Sequence, residues 1–203
     1  DYTVTEAGFG FDLGAEKFLD IKCQSAGLSP KAVVITTTIR ALKYHGGADL
    51  SSLTIPNVEA LKKGVPNLEK HLENAKLFNL TPVIAINRFI SDSDEEIQVI
   101  KDLAEKLGVK VALADGWARG GEGALELAQK VIEVVEENTE NFTPLYEWDS
   151  AVITKIETIA KKIYGADKIE FGAKARKDLK KIHDLNLENL PVCIAKTQKS
   201  LSD

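Results

Sequence analysis

Five short apolar runs alternate along this chain with longer segments of helical period, and that alternation restricts the fold more than any other feature. The runs are 2–6 (YTVTE), 32–38 (AVVITTT), 82–86 (PVIAI), 109–114 (VKVALA) and 191–195 (PVCIA). Between them, apolar residues recur at helical spacing over 12–26, 57–78, 94–107, 122–138, 149–163 and 173–183. Short β-branched strands separated by helices of ten residues or more form βαβ units, whose strands run parallel and are covered on both faces. The expected class is therefore α/β: a largely parallel, doubly wound, Rossmann-like sheet.

Local punctuation agrees. In "SDSDEE" (91–96), Ser93 or Asp94 supplies an N-cap, with acidic residues in the first helical turn, where the helix dipole favours them. Gly108 ends the helix after "DLAEKL", so the next strand can begin. After about residue 140, "NTENFTPLYEWD" is a polar and aromatic connector followed by two helical segments. With no Gly-, Ser- or Pro-rich linker, the chain is expected to be one α/β domain over 1–203, with 140–190 a possible helical insertion or subdomain.

Composition narrows the function. The chain's 203 residues are 44% apolar and 28% charged, as in an ordinary globular protein. A net charge of -5 with scattered basic residues gives no footprint for nucleic acid or an anionic membrane, so neither is an expected partner. No apolar run approaches a membrane span, and "DYTVTEAGFG" lacks the features of a signal peptide, so a cytoplasmic address is expected. Cys23, in an expected helix, and Cys193, in an expected strand, lack metal-ligand spacing and are expected in the core. The chain contains no methionine, which suggests a processed chain or a piece of a longer one.

Ligands of an open parallel sheet bind at the carboxyl ends of its strands. Four of the five strand ends here lead into loops rich in aromatic, basic or glycine residues: "AGFGFDLGAEKF", "IRALKYHGGADL", "NRFISDSDEE" and "DGWARGGEG". Phe89 and Trp117 follow consecutive strands, which right-handed crossovers would place side by side. Taken alone, either ring is accounted for as a cap on the core. Together they could hold a flat heteroaromatic ligand between their faces. Gly116 and the Gly120–Gly121 pair flank Trp117, where small residues let a ligand approach the backbone. "GGEG" also opens a helix and leaves N–H groups for an anion, but it fits neither GxxxxGK[ST] nor GxGxxG, and a plain strand-to-helix turn explains it equally. In "RALKYHGG", Arg40 and Lys43 lie three apart on one helix face; paired cations suit an anion, while a solvated basic face is the alternative. His45 is either a proton carrier or a capping residue. No nucleophile stands beside a base, and Glu6, Asp12 and Glu16 show no pairing.

These residues carry a resemblance. "ITTTIRALKYHGG" (35–47) is similar to the signature V-A-T-[IV]-R-A-L-K-x-[HN]-G-G of the formate–tetrahydrofolate ligases. "TEAGFGFDLGAEKF", "NLEKHLENAKLF", "AINRF", "GGEGALELAQKV", "IYGAD" and "LPVCIAKTQ" resemble the same family in the same order. The resemblance implies a cytoplasmic, ATP-dependent ligase that makes 10-formyltetrahydrofolate from formate, tetrahydrofolate and ATP (with magnesium) through formyl phosphate. Bacterial members are typically homotetramers, and a monovalent cation site occurs in the family. Family members are longer, and their phosphate-binding loop lies in an N-terminal region without a counterpart here. The chain is thus expected to be the central, folate-binding segment, inactive alone; a folate-binding or oligomer-contact module without catalysis is the alternative.

By motif, the pterin-stacking rings of W-x-[KR]-G-G-E-G and N-x-F-P correspond to Trp117 and Phe89, with Gly120, Gly121, Glu122 and Gly123 completing the first motif. Phe9 matches a further active-site aromatic, and Arg40, Lys43 and His45 belong to a signature beside the active cleft. Ile90 replaces the usual proline, which removes a fixed φ behind Phe89. Thr37 and Phe11 replace alanines and Tyr44 a methionine, and Phe11 would add a large ring beside an active-site turn.

Overall fold

The computed structural model describes residues 2–195 and 201. Helical turns at Phe11–Ala15 and Phe18–Cys23, both wound with π-type spacing, run into α1 (Gln24–Ala26). Then come β1 (Ala32–Thr37), α2 (Ile39–His45), α3 (Val58–Lys76), β2 (Thr81–Asn87), α4 (Asp94–Leu107) and β3 (Lys110–Ala114). A single turn, α5 (Gly116–Arg119), and a 3-10 turn over Gly120–Ala124 lead into α6 (Leu125–Glu137). The last helices are α7 (Val152–Lys162) and α8 (Ala173–Asp184). Among the described residues, no helix is long and apolar enough to cross a membrane.

Two compact units divide the chain: Pro30–Asn141, and Asp1–Ser29 with Phe142–Asp203. The first is the α/β unit expected from the alternation. Its sheet has the order β1-β2-β3 with both pairs parallel, Thr37 opposite Ile86 and Asn87 opposite Ala114. β2 is buried from Pro82 to Ile86, on both faces, because α3 and α4 pack on each other and on the sheet while α6 crosses all three strands. That double cover explains why its sequence is a continuous apolar run instead of an alternation. β1 lies at the edge and leaves Val34 and Thr36 exposed.

The α2–α3 crossing is unusually close. A Cβ on Gly64 would fall 1.8 Å from the Leu42 carbonyl oxygen, and one on Gly46 would fall 1.7 Å from that of Ala60. Only glycine permits backbone contact at this distance. α4 opens with a capping box: the Ser93 side chain accepts from Glu96 N–H, and Glu96 accepts from Ser93 N–H at 3.0 Å. Gly108 closes the helix at φ 63°.

Two of the five expected strands do not form. Residues 2–6 are irregular, with Tyr2 and Val4 exposed, so their alternation faces no apolar surface. Residues 191–195 are also irregular: Pro191 has no N–H for a ladder, and Val192 N–H donates to the Tyr146 hydroxyl at 3.2 Å. Cys193 is accordingly exposed and not in the core, whereas Cys23 is buried as expected.

In the second unit, the N-terminal helical run is fastened to the segment beginning at Phe142. Asp20 Oδ1 accepts from Leu145 N–H at 2.7 Å, Trp148 Nε1 donates to the Asp20 carbonyl at 3.0 Å, and the Tyr164 hydroxyl donates to the Asp12 carbonyl at 3.1 Å. The buried Lys155 ammonium donates to the carbonyls of Trp148, Glu188 and Leu190, while burial holds its pKa below the usual lysine value. Glu16 and Asp20, four apart, are both fully buried. Burial, then the charge of Asp20, pushes the Glu16 carboxyl up to about 8, and burial pushes Asp20 up as well. The pairing that Glu16 lacks in the sequence is thus with Asp20, across the junction between the two π-wound turns.

Candidate functional site

Because the strands of the α/β unit are parallel, their carboxyl ends share one edge, and the loops after β2 and β3 emerge there from adjacent strands. Arg88 N–H extends the ladder by donating to the Ala114 carbonyl at 3.2 Å, so the chain leaves β2 beside the last residue of β3. Phe89 comes next, partly buried, in a turn closed from both ends. Its N–H donates to Asp92 Oδ2 at 2.8 Å, and Asp92 N–H returns a bond to the Phe89 carbonyl at 3.0 Å. Asp92 is itself buried. Ile90 is fully exposed, so the position where proline is expected points into solvent, and the turn is held by Asp92 instead.

Trp117 lies on the α5 turn, three residues beyond β3, and 94% of its surface is exposed. At that exposure the ring caps no part of the core. The glycines after it serve different needs. Gly120 adopts φ 57° and ψ -141°, a region closed to side chains. A Cβ on Gly123 would meet the Asp115 carbonyl oxygen at 2.2 Å, and Asp115 N–H donates to the Gly123 carbonyl at 3.1 Å. Those two residues are therefore required by the loop itself. Gly116 and Gly121 meet nothing within 4 Å and leave the clearance a ligand would use. Glu122 is exposed in the 3-10 turn.

The two cations of the 35–47 motif do not converge on one anion site. Lys43 is fully buried, with its Nζ 2.9 Å from Glu96 Oε1 and donating to the Ile55 carbonyl at 3.0 Å. Burial alone would raise Glu96, but hydrogen bonds from Asn57 N–H (2.8 Å), Lys43 and Ser93 outweigh it and hold the carboxyl below its usual range. The anion that Lys43 meets thus belongs to its own chain. Arg40 goes elsewhere: its guanidinium carbon is 4.2 Å from the centroid of the Phe89 ring, and Nη2 donates to Ser91 Oγ at 3.1 Å. His45 ends α2 at the surface, edge-on to Tyr44 at 6.2 Å, with its pKa lowered by partial desolvation.

Phe9 belongs to the other unit, where it is 70% exposed at φ 66°. Phe11 is buried in that unit, so the added ring fills core and does not stand out at the Gly8–Gly10 turn. Sequence reasoning missed Asp92 and Ser91 as supports for Phe89. The signal was an Asp three residues after the ring, in the run "SDSDEE" that was read only for a helix N-cap at Ser93 or Asp94. Among the described residues, no group of three His, Cys, Asp or Glu side chains is gathered to hold a metal ion. The whole chain, residues 1–203, matches the sequence model of a family described as formate–tetrahydrofolate ligase.

Proposed function

Since the chain belongs to the formate–tetrahydrofolate ligase family, we propose that its α/β unit forms the pterin wall of that ligase, with Trp117 and Phe89 as the stacking rings. The observation that carries this reading is an almost fully exposed tryptophan on the loop next to that of Phe89, at the carboxyl edge of a parallel sheet. Tetrahydrofolate would be oriented there by stacking, with its reactive amine directed towards formyl phosphate made from formate and ATP. Catalysis by this unit is positional: it fixes one reactant so that encounter becomes intramolecular. None of its glycine loops has the GxxxxGK[ST] pattern, so the chain alone is expected not to activate formate. We assign none of its residues to ATP, magnesium or a monovalent cation. The intact ligase is taken to be cytoplasmic and homotetrameric, as the family resemblance implies.

The test is a tetrahydrofolate titration of the intact ligase carrying Trp117→Ala. Loss of one stacking face should raise the folate KM about three- to tenfold and leave the KM for ATP unchanged. Unchanged folate affinity and turnover would remove Trp117 from the site.

A further inference from the structure

We infer that Arg40 is a positioning residue for folate, acting through Phe89. The inference rests on the proposed role of Phe89 as a stacking ring. Three observations lead to it. The guanidinium lies over one face of the ring at 4.2 Å, so a flat ligand must use the other face. The same guanidinium reaches past the ring to Ser91 Oγ at 3.1 Å, which fastens the turn carrying Phe89 to α2. The position next to the ring, Ile90, is fully exposed and imposes no fixed φ, so the ring's aim depends on side-chain contacts.

Arginine suits this task because its planar fork stacks on an aromatic face and donates in the same plane, whereas a lysine ammonium does not. A cation on the back of the ring also draws π density from the front. That favours an electron-rich partner there, and a reduced, amino-substituted pterin is one. Lys43, three residues along, is committed to Glu96 and cannot take over the contact.

The experiment is steady-state kinetics on the intact ligase with Arg40→Met, Arg40→Lys, Phe89→Leu and the double variant Arg40→Met/Phe89→Leu. Arg40→Met is expected to raise the tetrahydrofolate KM about three- to tenfold, with the KM values for formate and ATP unchanged. Arg40→Lys should not restore it. In the Phe89→Leu background, Arg40→Met should change the folate KM by less than about twofold, because the ring it positions is gone. An equal effect of Arg40→Met in both backgrounds, or an equal rise in all three KM values, would overturn the role. If Phe89→Leu raises the folate KM but Arg40→Met does not, the inference fails and the stacking reading stands. An unchanged folate KM in Phe89→Leu would remove the stacking reading itself. Should Arg40→Met not fold, Ser91→Ala reports on the same clamp from the surface, with a smaller rise in folate KM expected and no rise overturning the inference.

Discussion

Replacing Lys43 with methionine separates a structural cation from a substrate-binding one. Lys43 and Glu96 are both fully buried and 2.9 Å apart. Methionine fills nearly the same volume, so the packing loss is small. What remains is a buried carboxylate without its cation, a situation that costs about 3–5 kcal/mol. Glu96 keeps its bonds from Asn57 N–H, Ser93 N–H and Ser93 Oγ, which places the cost near the lower end of that range. The lost bond to the Ile55 carbonyl adds about 1 kcal/mol. Urea unfolding of this chain at pH 7 should therefore show a loss of about 4 kcal/mol at unchanged slope. The sign of the pH dependence follows from Glu96. In the parent its folded pKa is depressed, so its stabilisation is present above about 4.5 and fades as pH falls. In Lys43→Met one of the groups that lower this carboxyl is gone while its burial remains, so it lies higher than in the parent and the gap between the two stability curves narrows as pH falls. A loss below about 1 kcal/mol at pH 7, or a gap that does not narrow on acidification, would refute the buried-pair account. A Lys43 that bound substrate would show the opposite pattern: a higher KM for an anionic substrate with stability intact.

Two further predictions concern packing and pH. Gly64→Ala places a Cβ 1.8 Å from the Leu42 carbonyl, so α2 and α3 must separate; a loss of about 3 kcal/mol or more is expected in urea unfolding, and a near-neutral result would show that the crossing yields. In the second unit, the Glu16 carboxyl is raised in the folded state, so its proton-linked stability is complete below about 4.5 and is lost as pH rises through about 8. The melting temperature followed by circular dichroism should fall from pH 5.5 to 8.5, and Glu16→Gln should flatten that fall; a parallel fall in the variant would place the titration elsewhere.

The α/β class was legible because each formed strand is a short apolar run followed by a segment of helical period. An N-cap at Ser93 or Asp94 ahead of acidic residues, and Gly108 at the far end, mark α4 from sequence alone because capping is a local interaction; the structure puts the cap on Ser93, with Glu96 completing a capping box. The end runs were not legible by the same means. YTVTE and PVCIA have the right residues, but a strand exists only with a neighbour, and periodicity says nothing about who that neighbour is. Arg40 and Lys43 show the same gap at the site. Spacing puts them on one helix face, yet long side chains reach in different directions, one into the core and one over a ring. The Glu16–Asp20 pair was invisible for a different reason: like charges four apart on a helix are disfavoured, and only burial with a retained proton makes them compatible.

The two cations also explain how a loop without its proline can still present a ring. Glu96 gathers Lys43 from α2, the Asn57 N–H that begins α3 and Ser93 at the start of α4, which ties three element ends together out of contact with water. One residue before Ser93, Asp92 closes the Phe89 turn, and Arg40 covers the back of its ring. Arg40 and Lys43 share α2, so the buried anchor and the surface clamp are fixed to the same rigid piece of backbone. A group that must hold a ligand within fractions of an ångström needs its own rotamer locked by its supports. Phe89 has such supports on its N–H, on its carbonyl and on one ring face. Trp117, by contrast, is exposed on a four-residue turn whose backbone is set by its glycines. The proposed site therefore pairs a wall fixed by its neighbours with one exposed on a short turn, an arrangement that suits the flat ligand proposed for it.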